Sequence, residues 1–386
     1  MTLRMTAFWA LLAAVVWPGQ SLAFETTARA AVVIDQSTGT VLLDKDGDLP
    51  LPPASMSKLM TLYVTFEALR RGQLRMKDKL SVSEHAMSYR GSTMFLDTTD
   101  KVTVEDLVRG IIVLSGNDAC VVLAEALSPD GTEAGFARLM TQRARDLGMT
   151  QSNFVNSNGW PAIDQRMSMR DLAILAQRLI EDFPEYYPMF AETEFEFDGR
   201  APSNTQNRNP ILRLGIGADG LKTGHTREAG YGLVGSAIQG NRRVIFAFTG
   251  LDTARARAQE AEAIVNWSMR HFEARLLAPA GQPIAHADIW MGKQPQVSLM
   301  PAEDLTVLLP VLMDKTVTAE VEYRGPIQAP VAAGDHLADL VVQPENLPEI
   351  RLPLVASQDV PVGGFMVRVG TAAQVLMRQF LAPSAS

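Results

Sequence analysis

Cysteine is nearly absent from this chain: Cys120 is the only one in 386 residues. An intramolecular disulfide is therefore excluded, and the fold must rest on its hydrophobic core. Cys120 begins the apolar run Cys120-Val121-Val122-Leu123-Ala124 with no base beside it, and reads as a buried small residue rather than a nucleophile. Histidine is also scarce. His85, His225, His271, His286 and His336 show no metal-ligand spacing, so no metal is expected. No glycine-rich loop of the kind that cradles phosphate is present, and no cofactor is expected. Positive charge falls short of negative, 35 Lys and Arg against 43 Asp and Glu, for a net −8. That balance disfavours nucleic acid and gives no general attraction to anionic lipid.

Long apolar runs are missing beyond the first residues. Arg4, the apolar segment Ala7 to Trp17 and the small-residue site Ser21-Leu22-Ala23 read as a signal peptide over residues 1–23. The apolar part is shorter than the ~20 residues of a spanning helix, which favours cleavage over anchoring.

Three fragments, each weak alone, stand in a telling order. Ser55-Met56-Ser57-Lys58 comes first, then Ser115-Gly116-Asn117, then Lys222-Thr223-Gly224. Together they describe an active-site serine acyl-transferase with lysine, not histidine, as base. A serine hydroxyl is a poor nucleophile until a neighbour takes its proton. Ser55 and Lys58, three apart at a helix start after Pro52-Pro53, fall on one face. A nucleophile in a first helical turn also feels the positive end of the helix dipole. Lysine, ordinarily near 10.4, acts as a base near neutrality only when desolvated or beside another cation, and Lys222 supplies one.

These segments resemble the low-molecular-weight penicillin-binding proteins, the serine-type D-alanyl-D-alanine carboxypeptidases. Pro53-Ala54-Ser55-Met56-Ser57-Lys58-Leu59-Met60-Thr61 is similar to the family's nucleophile segment. Leu114-Ser115-Gly116-Asn117-Asp118-Ala119-Cys120 is similar to its second motif. Asp219-Gly220-Leu221-Lys222-Thr223-Gly224-His225-Thr226, with Ala229-Gly230-Tyr231 after it, is similar to its third. The resemblance runs from about Ala28 to Phe272. It implies that Ser55 forms an acyl-enzyme, Lys58 is the general base and Ser115 relays protons. Asn117 would hold the substrate peptide, and Lys222 would bind substrate or polarise Ser115. The amides of Ser55 and His225 would form the oxyanion hole, and Thr223 with Arg208 and Arg257 would receive the terminal carboxylate. Arg255 competes with Arg257 for that role. The family often has His-Gly where this chain has Asn158-Gly159.

The resemblance implies an α/β (α+β) fold like that of penicillin-binding proteins and serine β-lactamases. It implies peptidoglycan stem peptides as substrate, β-lactam antibiotics as covalent inhibitors, and a periplasmic location. Alternatives on the same residues are a D,D-endopeptidase, a β-lactamase and a non-catalytic cell-wall-binding module. A β-lactamase usually needs a carboxylate for its deacylating water, often in a Glu-x-x-Leu-Asn loop, and no such sequence stands between Leu147 and Arg170.

The expected organisation is a catalytic domain over 24–277 with strands from both chain ends in one sheet. The pattern predicts helices over Leu59 to Leu69, Val104 to Leu114, Ala119 to Leu127, Gly135 to Leu147, Met169 to Ile180 and Ala256 to Ala274. A linker near Ala278-Pro279-Ala280-Gly281 precedes a small all-β domain over 278–370, read as a spacer. Thr371 to Leu381, within a tail over 371–386, has an apolar face of Ala372, Leu376 and Phe380. It resembles the family's membrane-lying helix and implies weak peripheral contact with the inner membrane.

Overall fold

The computed structural model describes residues 24–311, 318–343 and 349–365. The expected signal segment 1–23 and tail 371–386 lie outside the described residues.

The first part of the described chain, through Arg270, surrounds one sheet. Strands β1 (Ala30–Asp35) and β2 (Thr40–Lys45) form a hairpin, and the chain then enters helix α1 (Lys58–Arg70). Next come β3 (Lys79–Ser81), α2 (Glu84–Ser88), β4 (Lys101–Thr103), α3 (Val104–Arg109), α4 (Asn117–Leu127), α5 (Glu133–Asp146) and α6 (Met169–Asp182). Strands β5 (Ala218–Thr226), β6 (Gly230–Gln239) and β7 (Arg242–Leu251) then rejoin the sheet, and α7 (Ala254–Arg270) covers it. The sheet order is β2-β1-β7-β6-β5, with every neighbouring pair antiparallel.

The two-residue period of a strand explains how this sheet has two apolar faces. Ala30 and Val32 of β1 join the core formed with the helical cluster, while Ala31 and Val33 join the core under α7. Ala247 and Phe248 of β7 divide in the same way. Helix α1 is buried on nearly every side, from Lys58 to Leu69, because it runs through the middle of the helical cluster. Serine and threonine start five of the other helices. Ser83, Thr103, Thr132, Ser168 and Thr253 each accept a backbone N–H from three residues on, capping α2, α3, α5, α6 and α7.

One expected helix overruns. Residues 256–274 read as a single helix because no glycine or proline stops the pattern. In the structure α7 ends at Arg270, and β8 (Phe272–Ala278) follows. Its partner is β11 (Leu305–Pro310), so a distant pairing decides the conformation. Strands β9 (Ala285–Trp290) and β10 (Gln296–Met300) follow β8. With β12 (Thr318–Glu322), β13 (Ile327–Gln328), β14 (His336–Gln343) and β15 (Ile350–Ala356), they form a six-stranded sheet ordered β12-β14-β15-β10-β9-β13. The part after Arg270 is thus all-β, around a core that includes Ala287, Val297, Leu299, Val342 and Leu354.

Candidate active site

Ser55 sits in a single 3₁₀ turn, Ala54–Ser57, and α1 begins at Lys58. The nucleophile segment therefore precedes the α-helix rather than opening it. The tighter winding eclipses residues i and i+3, which brings Ser55 and Lys58 side by side. Lys58 Nζ lies 2.8 Å from Ser55 Oγ and donates to the Asn158 carbonyl at 2.6 Å. Lys58 has no exposed surface, and its desolvation lowers its pKa to about 8. Arg208 pushes in the same direction, and Asp118 opposes it. The Cys120 thiol is pushed up by burial to about 12, so it is neutral and takes no part.

Strand β5 closes over this turn at the sheet edge. A Cβ on Gly224 would come 2.9 Å from Met56 and 3.0 Å from the Pro53 carbonyl, so only glycine lets the strand pass this close. Lys222 and Thr223 are buried beside it. Lys222 Nζ donates one long bond, 3.3 Å, to the Thr223 carbonyl. Burial first, then Lys58 and Arg208, hold its pKa well below the usual lysine value. His225 is exposed, and its ring stacks on Tyr231 at 3.8 Å.

The second motif follows a π-helical turn, Gly110–Leu114, that extends α3. Ser115 ends it in the left-handed conformation, φ +64°, a position usually held by glycine. The residue is buried, and its hydroxyl has no hydrogen-bond partner among the described residues. Asn117 opens α4, donating from its side chain to the Arg90 carbonyl at 2.7 Å and from its amide to the Ser92 carbonyl at 2.8 Å. Asp118 beside it is a buried carboxylate. Burial raises its pKa, while the amides of Met94 (3.0 Å), Leu96 (3.1 Å) and Ala119 (2.9 Å) oppose that shift. The carboxylate pins residues 94–96 against the motif.

The two arginines meet here. Arg208 donates to Ser92 Oγ at 2.5 Å, and Arg257 Nη2 lies 3.5 Å from the Arg208 carbonyl. Arg257 is 8% exposed, its Nε has no hydrogen-bond partner, and its guanidinium lies 5.6 Å from the centre of the Tyr231 ring. Arg255 is exposed on the first turn of α7, away from this cluster. Lys58, Lys222, Arg208 and Arg257 have no salt-bridge partner among the described residues, an arrangement that suits an incoming anion.

Two contributors escape a reading of side chains. The acceptor for Lys58 is the main chain of Asn158, so an asparagine in place of the family's usual histidine leaves that bond intact. Gly159, at φ +83°, is the constrained residue of the pair: a Cβ there would lie 1.9 Å from the Ala54 carbonyl. Asp118 was readable only as the fourth residue of Ser-Gly-Asn-Asp, an acid at the start of an apolar helix.

A lysine desolvated against a serine hydroxyl, beside unpaired cations, defines an active-site-serine hydrolase. The comparisons specify which. Residues 18–253 match the family model described as D-alanyl-D-alanine carboxypeptidase, and residues 272–362 match that of the penicillin-binding protein 5 C-terminal domain. The chain is 35% identical over 351 residues to D-alanyl-D-alanine carboxypeptidase DacC of Escherichia coli, covering 89% of this chain and 86% of that one. It is 32% identical over 346 residues to DacF of Bacillus subtilis, covering 88% and 87%. Penicillin-binding protein 5 of Haemophilus influenzae superposes with a TM-score of 0.76 at 33% identity, covering 90% of this chain and 99% of that one. The chain belongs to the D-alanyl-D-alanine carboxypeptidase family of penicillin-binding proteins.

Proposed function

We propose that this protein removes the terminal D-alanine from peptidoglycan stem pentapeptides through an acyl-enzyme on Ser55, and that β-lactams acylate the same hydroxyl. The observation that carries the reading is the 2.8 Å approach of buried Lys58 to Ser55. With its pKa near 8, roughly a tenth of Lys58 is neutral at pH 7, enough to serve as a base. Lys58 takes the Ser55 proton as Oγ attacks the penultimate D-alanine carbonyl. The amides of Ser55 and His225 receive the oxyanion. Ser115 relays a proton from Lys58 to the departing amine as the C–N bond breaks, and Lys222 binds substrate or polarises Ser115. Water then releases the shortened peptide. Asn117 holds the peptide backbone, and Arg257, Arg208 and Thr223 take the free carboxylate.

Penicillin-binding protein D2 of Listeria monocytogenes, solved with ampicillin bound, is 29% identical at a TM-score of 0.56, covering 65% of this chain and all of that one. That likeness supports β-lactam binding here. The two buried acids nearest the site, Asp118 and Glu133, have their oxygens occupied by protein donors. Neither is free to activate water against the acyl-enzyme, which favours a penicillin-binding role over a β-lactamase.

Residues 1–23 serve as a signal peptide for export to the periplasm. The catalytic domain spans 24–277, and the β domain over 278–370 is a spacer. The tail over 371–386 makes peripheral contact with the inner membrane. No helix of the described residues is long and apolar enough to cross a membrane. Mass spectrometry after labelled penicillin, then product analysis on a pentapeptide, tests the central reading. An adduct on Ser57 or Ser115, or no released D-alanine, overturns it.

A further inference from the structure

Glu133 opens α5 yet is only 7% exposed. A buried carboxylate is costly unless its lone pairs are filled. Here each oxygen has two donors. One accepts the Ser157 amide at 2.9 Å and the Ser157 hydroxyl at 2.6 Å. The other accepts the Tyr89 hydroxyl at 2.8 Å and stands 2.8 Å from His85 Nε2. An ionised carboxylate only accepts, so the His85 contact is a hydrogen bond in the form of the ring that carries its proton on Nε2.

Each partner leads to the reacting groups. The Ser157 carbonyl accepts the Thr61 hydroxyl of α1 at 2.5 Å, and the next carbonyl, of Asn158, accepts Lys58 Nζ. Lys58 and Thr61 are three apart on α1, so two successive carbonyls grip one face of the helix that carries the base. On the other side, Tyr89 precedes Arg90 and Ser92, the partners of Asn117 and Arg208. One carboxylate thus joins α5, residues 85–92 and the 157–158 loop at the point where the loop meets Lys58.

We propose that Glu133 is a positioning residue for the reaction: by holding Ser157 it fixes the Asn158 carbonyl that places the Lys58 ammonium against Ser55. This rests on Lys58 being the base. The charges that face Lys58 are Lys222 of β5, Arg208 before it and Asp118 of α4, with the Cys120 thiol beside them. The Glu133 carboxylate faces the Cys120 thiol, so its charge reaches this cluster as well as its hydrogen bonds reaching the loop, and Ser157→Ala, which leaves that charge in place, separates the two.

The test measures acylation of the full chain by a fluorescent penicillin across the pH range in which Lys58 titrates, with wild type first. Absence of a wild-type adduct on Ser55 refutes the functional reading, separately from this inference. Glu133→Gln keeps the shape but cannot fill all four interactions. We expect a folded variant whose acylation is slower by about tenfold to a hundredfold, as small misplacements of a reacting group produce. Its pH midpoint moves down, because the ammonium loses a carbonyl acceptor. Ser157→Ala, which removes one of the two loop bonds, gives a smaller change in the same direction, and it decides the matter if Glu133→Gln does not fold. An unchanged rate and midpoint in either folded variant overturns the proposal. So does a slower rate with an unmoved midpoint, since that marks a merely structural role.

Discussion

The two ends of the central sheet treat buried positive charge in opposite ways. At the β6–β7 turn, Arg242 is mostly buried and saturated. It pairs with fully buried Asp35 at 2.9 Å and donates to the carbonyls of Phe272 (2.7 Å) and Ser268 (3.1 Å). Its neighbour Arg243 pairs with Asp219 at 2.8 Å. Toward the other end, Lys58, Lys222 and Arg257 are at least as deeply buried but have no salt-bridge partner among the described residues. A protein selected for stability alone has reason to build the first arrangement and none to build the second. The unpaired cations lower each other's proton affinity and leave room for a substrate carboxylate, so the difference separates charge used to hold the sheet together from charge reserved for chemistry.

The sharpest way to break this comparison is to keep the charge at Lys58 and remove its basicity. Lys58→Arg should reduce acylation by penicillin on the order of 10²–10⁴-fold, because arginine does not deprotonate in a protein. Rapid acylation by the folded variant would show that another group takes the proton. At the opposite end the expected loss is one of stability. Arg242→Ala leaves Asp35 buried and unpaired, which should cost about 3–5 kcal/mol of unfolding free energy. Activity per folded molecule should be unchanged; denaturant titration combined with active-site counting separates the two.

Lys58→Met sharpens the same contrast from the other side. The folded pKa of about 8 lies below the ordinary 10.5, so folding must hold an unwelcome charge wherever both states are protonated. That cost is fully present below pH 8 and disappears as the pH rises through 10.5. Lys58→Met should therefore stabilise the inactive protein by up to about 3 kcal/mol near neutrality, with the gain fading in alkali. Chemical denaturation at neutral and alkaline pH checks both the sign and the trend.

How much of this was legible in sequence follows from what fixes each part. Acyl transfer demands particular side chains, so Ser55, Lys58, Ser115, Asn117 and Lys222 stand out as types in an order, and the structure sets Lys58 against Ser55 with Lys222 within electrostatic reach of Lys58. Choosing Arg257 over exposed Arg255 needed the helix phase. The Asn158 acceptor is a backbone carbonyl, which any residue supplies, and so left no sign. The Glu133 network joins His85, Tyr89 and Ser157 across 24 to 48 residues, and no local pattern announces such links. The overrun of α7 has the same origin: residues 272–278 are strand because β11 lies against them.

The last prediction concerns the cation whose partner is still to come. Arg257 is buried, its Nε is unpartnered, and its nearest charged neighbours in the site are positive. Within the fold its charge meets only the Tyr231 ring and one long bond to the Arg208 carbonyl, so Arg257→Ala should change the melting midpoint little. A charge-assisted bond to the substrate carboxylate is worth roughly 1.5–3 kcal/mol, or about tenfold to a hundredfold in kcat/KM on the peptide. The control is a C-terminally amidated peptide, which carries no charge for the guanidinium to receive. If Arg257 serves recognition, the variant loses activity on the free acid and changes little on the amide. An equal loss on both would mean that Arg257 supports Tyr231 and the sheet edge, and that buried charge at this end of the sheet holds structure as Arg242 does at the other.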